Sequence, residues 1–125
     1  MKILLAEDDP NISLIARLSL EQLGGHQVHL AIDGKMALEM ATSYDFDLIL
    51  LDEMMPKING LSVCRQYREL TPNGTPIIFL SAKSQDSDIA AFTSEGLGFI
   101  PKPFDPTLLC QEIDQILQKN KRGPQ

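Results

Sequence analysis

The segment LILLDEMMPKING, residues 48–60, decides the fold of this chain. It begins with four apolar residues, continues with Asp52 and Glu53, and then contains Pro56 and the pair Asn59-Gly60, which favour a loop. An apolar run without polar alternation is typical of a strand that helices cover on both faces, as in a parallel sheet. The segment therefore predicts a buried parallel strand whose carboxyl end carries two acidic side chains.

The same layout recurs along the chain, because short apolar runs are each followed by turn residues and by a stretch with helical periodicity. These runs cover residues 3–6, 28–32, 48–51, 77–80 and 99–100. Pro101 follows the fifth run, and proline is confined to edge strands or strand ends because it cannot donate to the ladder. The second run alternates in polarity, which also suits an edge. We therefore predict an α/β fold, a doubly wound, flavodoxin-like (βα)5 sandwich with parallel strand order 2-1-3-4-5.

Capping residues and apolar spacing place the helices. Asp9 before Pro10 suits an N-cap followed by a proline in the first turn. The expected core-facing stripe of this first helix consists of Ile12, Ile15, Leu18 and Leu23. Further helices are predicted over residues 35–42, 61–70 and 86–95, and Asp105-Pro106 is predicted to open the last one.

Length and composition limit the classes of protein. The 125 residues suit one domain, which we place at residues 1–119, followed by a flexible tail or linker stub at residues 120–125. The net charge of -6 disfavours direct nucleic-acid binding, because phosphate backbones reward lysine and arginine clusters. No run approaches a membrane span and no secretory leader is recognisable, so we expect a cytoplasmic protein. The two cysteines lack metal-ligand spacing, which argues against a zinc site or a disulfide framework.

Charged and hydroxyl side chains follow the predicted strands at their carboxyl ends. Glu7 and Asp8 follow the first strand, and the later strands are followed by Asp52, Ser81 and Lys102. Open α/β sheets bind ligands at this rim. Crowded carboxylates repel one another unless a cation binds them, and Mg²⁺ prefers carboxylate oxygens together with water and phosphate. Because an aspartate beside such an ion can attack phosphorus, these residues suit phosphoryl transfer to a carboxylate.

The motifs resemble those of receiver domains of two-component response regulators, of the chemotaxis type that consists of a single domain. The resemblance rests on LLAEDD at residues 4–9, LLDEMMP at residues 50–56 with Asn59-Gly60, Ser81-Ala82, and Lys102-Pro103-Phe104. It implies that Asp52 accepts the phosphoryl group and that Mg²⁺ is bound by Glu7, Asp8, Asp52 and the backbone carbonyl of Met54. It also implies that Ser81 and Lys102 bind the phosphoryl oxygens and that the Lys102-Pro103 peptide is cis.

The resemblance further implies a switch. Receiver domains couple phosphorylation to output through a hydroxyl on the fourth strand and an aromatic residue on the fifth, which match Ser81 and Phe99, and the output surface is formed by the fourth helix, fifth strand and fifth helix. Met54 cannot orient an attacking water, so we predict a longer-lived phosphoryl group than with a polar residue there. Phe99 lacks the polar tip of the tyrosine that is often found at its position.

Partners and activity follow from the same resemblance. The donor would be a histidine kinase or a histidine phosphotransfer protein, the downstream effector is unknown, and the chain would be a monomer or a phosphorylation-dependent dimer. Such a protein is not an enzyme for a separate substrate, because it catalyses only its own phosphorylation and dephosphorylation. Whether it acts alone or is a piece of a longer regulator stays open.

Three other functions fit parts of the pattern. A phosphohydrolase of the haloacid dehalogenase type also uses an aspartyl intermediate, but it needs a second aspartate where this chain has Met54. A nucleotide or flavin module of flavodoxin type needs a phosphate loop after the first strand, where Glu7, Asp8 and Asp9 would repel phosphate. A receiver-like scaffold that no longer accepts phosphate and only binds partners is the third alternative.

Overall fold

The computed structural model describes residues 1–72, 74–82 and 86–122, and in these ranges five strands alternate with five helices. The strands are β1 (Lys2–Ala6), β2 (Gln27–Ala31), β3 (Leu48–Asp52), β4 (Ile77–Ser81) and β5 (Gly98–Pro101). The helices are α1 (Pro10–Leu18), α2 (Gly34–Ser43), α3 (Gly60–Leu70), α4 (Asp86–Glu95) and α5 (Leu109–Arg122). A π-helical segment, Ser19–Leu23, continues α1. Among the described helices, none has both the length and the apolar character that crossing a membrane requires.

The strands form one parallel sheet in the order β2-β1-β3-β4-β5, which confirms the predicted doubly wound, flavodoxin-like fold. Ala6 pairs with Leu51, so the carboxyl ends of β1 and β3 lie side by side. β2 and β5 are the edges, as predicted, and Pro101 is the last residue of β5. β2 ends at Ala31, one residue short of the predicted strand, and Ile32 is exposed.

Helices cover both faces of the sheet and enclose two apolar cores. The core on the side of α2, α3 and α4 includes Leu4, Ala37, Ala41, Ile49, Leu51, Val63, Tyr67, Phe79 and Phe92. The core on the side of α1 and α5 includes Ile3, Leu5, Ala16, Leu20, Leu48, Leu50, Ile78, Ile100, Leu109 and Ile113. Every residue of β3 and β4 is buried, which is why their sequences are continuous apolar runs.

The predicted core-facing stripe of α1 is wrong. Three of its four residues are exposed side chains, namely Ile15, Leu18 and Leu23. The buried residues of α1 and its π-helical continuation are Ser13, Ala16, Ser19 and Leu20. The two serines can be buried because their hydroxyls donate to backbone carbonyls, those of Pro10 and Pro106. Small side chains therefore form the buried face of α1, and Ile15 and Leu18 lie outside.

The limits of α5 also differ from the prediction. Asp105 and Pro106 belong to a turn, in which the Leu108 amide donates to the Asp105 carbonyl, and the helix begins at Leu109. The Asp105 carboxylate accepts hydrogen bonds from the amide and the hydroxyl of Thr107 within this turn. At the other end, α5 runs to Arg122, so residues 120–122 of the predicted tail are helical. Residues 123–125 of that tail lie outside the described residues.

Candidate functional site

The carboxyl ends of four neighbouring strands bring the predicted site residues to one rim of the sheet. Glu7 directly follows β1, Asp52 is the last residue of β3, Ser81 is the last residue of β4, and Lys102 directly follows β5. Because β1, β3, β4 and β5 are consecutive neighbours in a parallel sheet, these ends lie next to one another. The rim includes the switch point between β1 and β3, where open α/β sheets bind their ligands.

Three carboxylates form the centre of this rim. One oxygen from each of Glu7, Asp8 and Asp52 lies within 4.8 Å of the others. Glu7 and Asp52 are 1% and 3% exposed, whereas Asp8 is exposed to solvent. Carboxylate oxygens that lie this close and are open to water on one side fit a hard divalent cation such as Mg²⁺.

The Lys102 ammonium joins two of these carboxylates. Its Nζ donates to Glu7 Oε1 at 2.7 Å and lies 2.9 Å from Asp52 Oδ1. The Lys102 side chain is 14% exposed, so both ion pairs are shielded from bulk water. The Lys102-Pro103 peptide is cis, as predicted. The sequence predicted a lysine at this rim, but it did not predict that the lysine bridges two carboxylates.

Burial shifts the ionisation of this group of residues. Burial of Glu7, reinforced by its hydrogen bond to Asp52, raises the pKa of Glu7 to about 7, although Lys102 acts in the opposite direction. Burial by itself would lower the pKa of Lys102, but its hydrogen bonds to Glu7 and Asp52 outweigh that effect and raise the pKa. The ammonium is therefore charged at neutral pH, whereas Glu7 is partly protonated. A metal cation that binds beside such a buried carboxylate stabilises its charged form and so offsets the cost of burying it.

The motif Asn59-Gly60 shapes the backbone around Asp52. The Asn59 side chain caps α3 by accepting a hydrogen bond from the Ser62 amide at 2.9 Å. A Cβ on Gly60 would lie 2.5 Å from the Asp52 carbonyl oxygen and 2.8 Å from Glu53 Cα, so only glycine allows the start of α3 to approach β3 this closely. The Gly60 amide donates to the Glu53 carbonyl at 2.8 Å. This close approach and this hydrogen bond hold the loop after Asp52 against the end of β3.

Asp9, the third acid after β1, caps α1. Its carboxylate accepts hydrogen bonds from the amides of Asn11 at 2.8 Å and Ile12 at 3.3 Å. This agrees with the predicted N-cap. Of the three consecutive acids, Glu7 and Asp8 thus contribute to the carboxylate cluster, whereas Asp9 is the N-cap of α1.

The other predicted residues lie around the carboxylate cluster. Met54 is 68% exposed, and its amide is 3.4 Å from Asp52 Oδ1, a long contact. Ser81 is 2% exposed, and its carbonyl accepts a hydrogen bond from the Lys102 amide at 2.9 Å. Phe99 on β5 is half-buried, and its ring centroid is 5.9 Å from that of Phe92 on α4.

An apolar pocket, which the sequence did not predict, opens beside Lys102. It measures about 310 Å³ and is lined by Ile12, Ile15, Ala82, Lys102, Pro103 and Phe104. Ile15 also lines a groove of about 340 Å³ that continues along α1 past Leu18 and Leu23. We call the pocket and groove together the α1 surface. Ser13 and Ala16, three residues apart, are the signal in the sequence that could have identified the buried face of α1 and hence this exposed one.

Comparison with known proteins connects the chain to one family. The family model described as "Response regulator receiver domain" matches residues 3–114. The response regulator ArlR of Staphylococcus saprophyticus is 43% identical over 119 residues, which cover 94% of this chain and 53% of ArlR. The chain thus spans about half the length of the curated relatives that it matches.

Solved receiver domains have the same fold. The Francisella response regulator 1452 receiver domain matches with a TM-score of 0.85 and 29% identity, over 95% of this chain and 98% of that one. The BeF3-activated DrrB receiver domain matches with a TM-score of 0.79 and 28% identity, over 94% and 97% of the two chains. DrrB is a Thermotoga maritima protein. The folds therefore correspond over nearly the full length of the compared chains.

Proposed function

Because the chain belongs to the response regulator receiver domain family, we propose that it is a phosphorelay switch in which Asp52 accepts a phosphoryl group in the presence of Mg²⁺. One observation supports this most directly: the carboxylates of Glu7, Asp8 and Asp52 lie within 4.8 Å of one another, and the Lys102 ammonium is 2.9 Å from Asp52. This arrangement offers a nucleophile, a place for a divalent cation and a positive charge for phosphoryl oxygens.

In the proposed reaction, a carboxylate oxygen of Asp52 attacks the phosphorus of a phosphohistidine. The bond between phosphorus and the imidazole nitrogen breaks, and its electron pair stays with the imidazole. Lys102 exchanges a carboxylate contact for a phosphoryl oxygen and stabilises the charge there, while the Ser81 hydroxyl donates a hydrogen bond to another oxygen. Mg²⁺, held by Glu7, Asp8, Asp52 and the Met54 carbonyl, would offset the remaining negative charge.

Acetyl phosphate, a small acyl phosphate donor, tests the acceptor without any partner protein. In the presence of Mg²⁺, the intact mass should increase by one phosphoryl group, and a chelator should prevent this. Asp52→Asn should abolish the increase. Asp9→Asn is a matched control, because asparagine also caps helices well and Asp9 does not belong to the cluster. A chain that gains no phosphoryl mass would instead support the scaffold alternative, and an increase that persists in Asp52→Asn would place the acceptor elsewhere.

The α1 surface is the proposed docking site for the donor, a histidine kinase or a histidine phosphotransfer protein. The donor must bring its phosphohistidine to Asp52, and the pocket of this surface shares Lys102 with the site. Burying exposed aliphatic side chains against a partner is favourable. Apolar centres are also typical of specific interfaces. Ile15, at the junction of pocket and groove, would lie near the centre of the contact.

The proposed output surface is formed by α4, β5 and α5. A groove of about 300 Å³ on this surface is lined by Phe99, Ile100, Glu112, Gln115, Ile116 and Lys119. Phosphorylation would draw the Ser81 hydroxyl towards the phosphoryl group and leave room for the Phe99 ring to turn inward. The change would shift an equilibrium between two arrangements of this surface and so alter the binding of an effector or of a second copy.

Crystal structures with Mg²⁺ alone and with a beryllofluoride adduct test this output mechanism. The Phe99 ring should adopt different rotamers in the two structures. Phe92, which contacts Phe99 but is fully buried, serves as the internal control and should keep its rotamer. An unchanged Phe99 ring would contradict the mechanism without affecting the assignment of the acceptor.

A further inference from the structure

Met54 combines high exposure with closeness to the acceptor. It is 68% exposed, whereas Met1 and Met36 are 39% and 36% exposed, and Met40 and Met55 are half-buried. The Met54 amide is 3.4 Å from Asp52 Oδ1, so its backbone is adjacent to the carboxylate that would carry the phosphoryl group. Met54 is therefore the methionine residue most open to an oxidant in solution.

A peroxide converts a thioether into a sulfoxide in one balanced step. The sulfur attacks one oxygen of hydrogen peroxide, the O–O bond breaks, and the second oxygen leaves as water. The product is polar and accepts hydrogen bonds strongly, whereas the thioether accepts them weakly. The cysteines compete poorly for peroxide, because burial raises the pKa of both Cys64 and Cys110 and so reduces the reactive thiolate.

We infer that Met54 is a site of reversible oxidation by peroxides and that its sulfoxide shortens the lifetime of the phosphoryl group on Asp52. The inference rests on the proposed function. Hydrolysis requires a water oxygen to attack phosphorus while the bond between phosphorus and the Asp52 oxygen breaks. The carboxylate is regenerated, and a proton of the water goes to the released phosphate. The Met54 backbone adjoins Asp52 and its side chain is open to water, so a sulfoxide oxygen there can accept a hydrogen bond from a water that approaches the phosphoryl group and orient it, which the thioether does poorly.

Peptide mapping after brief treatment with hydrogen peroxide tests the modification. Met54 should gain oxygen before the other methionines, and a methionine sulfoxide reductase should remove it. Earlier oxidation of Met36 or Met55 would overturn the assignment of the site. This measurement needs no phosphorylation, so its result does not depend on the proposed function.

The lifetime is measured after peroxide has been removed with catalase. Oxidised and untreated chains are phosphorylated with acetyl phosphate and Mg²⁺, the donor is removed, and the loss of phosphoryl mass is followed. The oxidised chain should lose it about fivefold faster, the factor that one added hydrogen bond to the attacking water would give. Equal or slower loss would overturn the inference and leave the proposed function intact. Failure of the untreated chain to gain phosphoryl mass would overturn both.

Three variants separate Met54 from other effects of peroxide. In Met54→Leu, which keeps an apolar side chain without sulfur, peroxide should not change the rate of phosphoryl loss. Met54→Gln places an amide oxygen at this position and should accelerate the loss without any oxidant. Met55→Leu is the matched control and should retain the full response to peroxide. A response that persists in Met54→Leu would assign the effect to another residue.

Discussion

The rim of the sheet and the outer face of α1 both reverse the usual distribution of polar and apolar groups. At the rim, Glu7 and Asp52 are 1% and 3% exposed, whereas on α1 the aliphatic residues Ile15 and Leu18 are 45% and 43% exposed. Burying carboxylates and exposing aliphatic side chains both cost free energy. The two regions meet at Lys102, which pairs with the carboxylates and also lines the apolar pocket. Their adjacency supports the proposal that a phosphoryl donor docks on the α1 surface beside the charged rim.

Among the charged residues of the rim, Lys102 should have the largest effect on the rate of phosphorylation. Lys102→Ala should slow phosphorylation by acetyl phosphate about 100-fold or more, because it removes a positive charge directed at the developing negative charge. The rate of mass gain in Mg²⁺ measures this. Lys35→Ala, an exposed lysine on α2, should leave the rate unchanged. An unchanged rate in Lys102→Ala would mean that the ammonium only neutralises the carboxylates of the unphosphorylated site and does not assist the transfer.

Glu7 should make the stability of the metal-free chain depend on pH. Its pKa is raised to about 7 in the folded chain, so the folded state binds this proton more tightly than the unfolded state does. The stabilising contribution is complete below a pH of about 4.5 and is lost as the pH rises through about 7. The loss is at most about 3 kcal/mol.

Denaturant unfolding in chelator, at several pH values across this range, measures the effect. Glu7→Gln should flatten the dependence, and Mg²⁺ should restore the stability of the original chain at the upper end of the range. Glu39→Gln, an exposed position on α2, is the control and should keep the original dependence. Stability that rises with pH over this range would contradict the assignment.

The exposed aliphatic residues of the α1 surface predict an effect that depends on the phosphoryl donor. Ile15→Asp should slow transfer from a phosphorylated histidine phosphotransfer protein about tenfold, the equivalent of losing about 1.4 kcal/mol at an interface. Phosphorylation by acetyl phosphate should not change, because this donor needs no docking surface. Leu70→Asp is the control, since Leu70 is 66% exposed and ends α3, whereas the first residue of that helix, Gly60, is the one that lies against Asp52. Equal slowing with both donors would indicate damage to the site instead of lost docking.

The smallest effect concerns an ion pair that is open to solvent and joins α1 to its π-helical continuation. Arg17 Nε lies 2.9 Å from Glu21 Oε1, and the two side chains are 50% and 37% exposed. Water and salt screen such pairs, so Arg17→Ala should change the free energy of unfolding by less than about 0.5 kcal/mol. Denaturant unfolding measures this change. A larger loss of stability would mean that this exposed pair and the shielded pairs of Lys102 differ less in energy than their exposures suggest.

The sequence by itself determined the order of the sheet and the position of the acids. The continuous apolar runs of β3 and β4 indicated helices on both faces, and the proline at the end of β5 indicated an edge. Because side chains at the ends of parallel strands share one rim, Glu7, Asp8 and Asp52 could be placed together without coordinates. The glycine of Asn59-Gly60 was visible as a turn signal, although its contact with the Asp52 carbonyl was not.

Only the tertiary structure decided which face of α1 is buried and what Lys102 contacts. Apolar spacing shows where a helix has large aliphatic residues, but it does not show how closely the helix approaches its neighbours. In α1 the small residues Ser13 and Ala16 are buried, whereas the larger Ile15 and Leu18 remain outside. The bridge from Lys102 to Glu7 joins residues 95 positions apart, so its geometry depends on how β1 and the end of β5 are brought together. Local patterns determine elements and their ends, whereas distances between elements are set by packing of the whole domain.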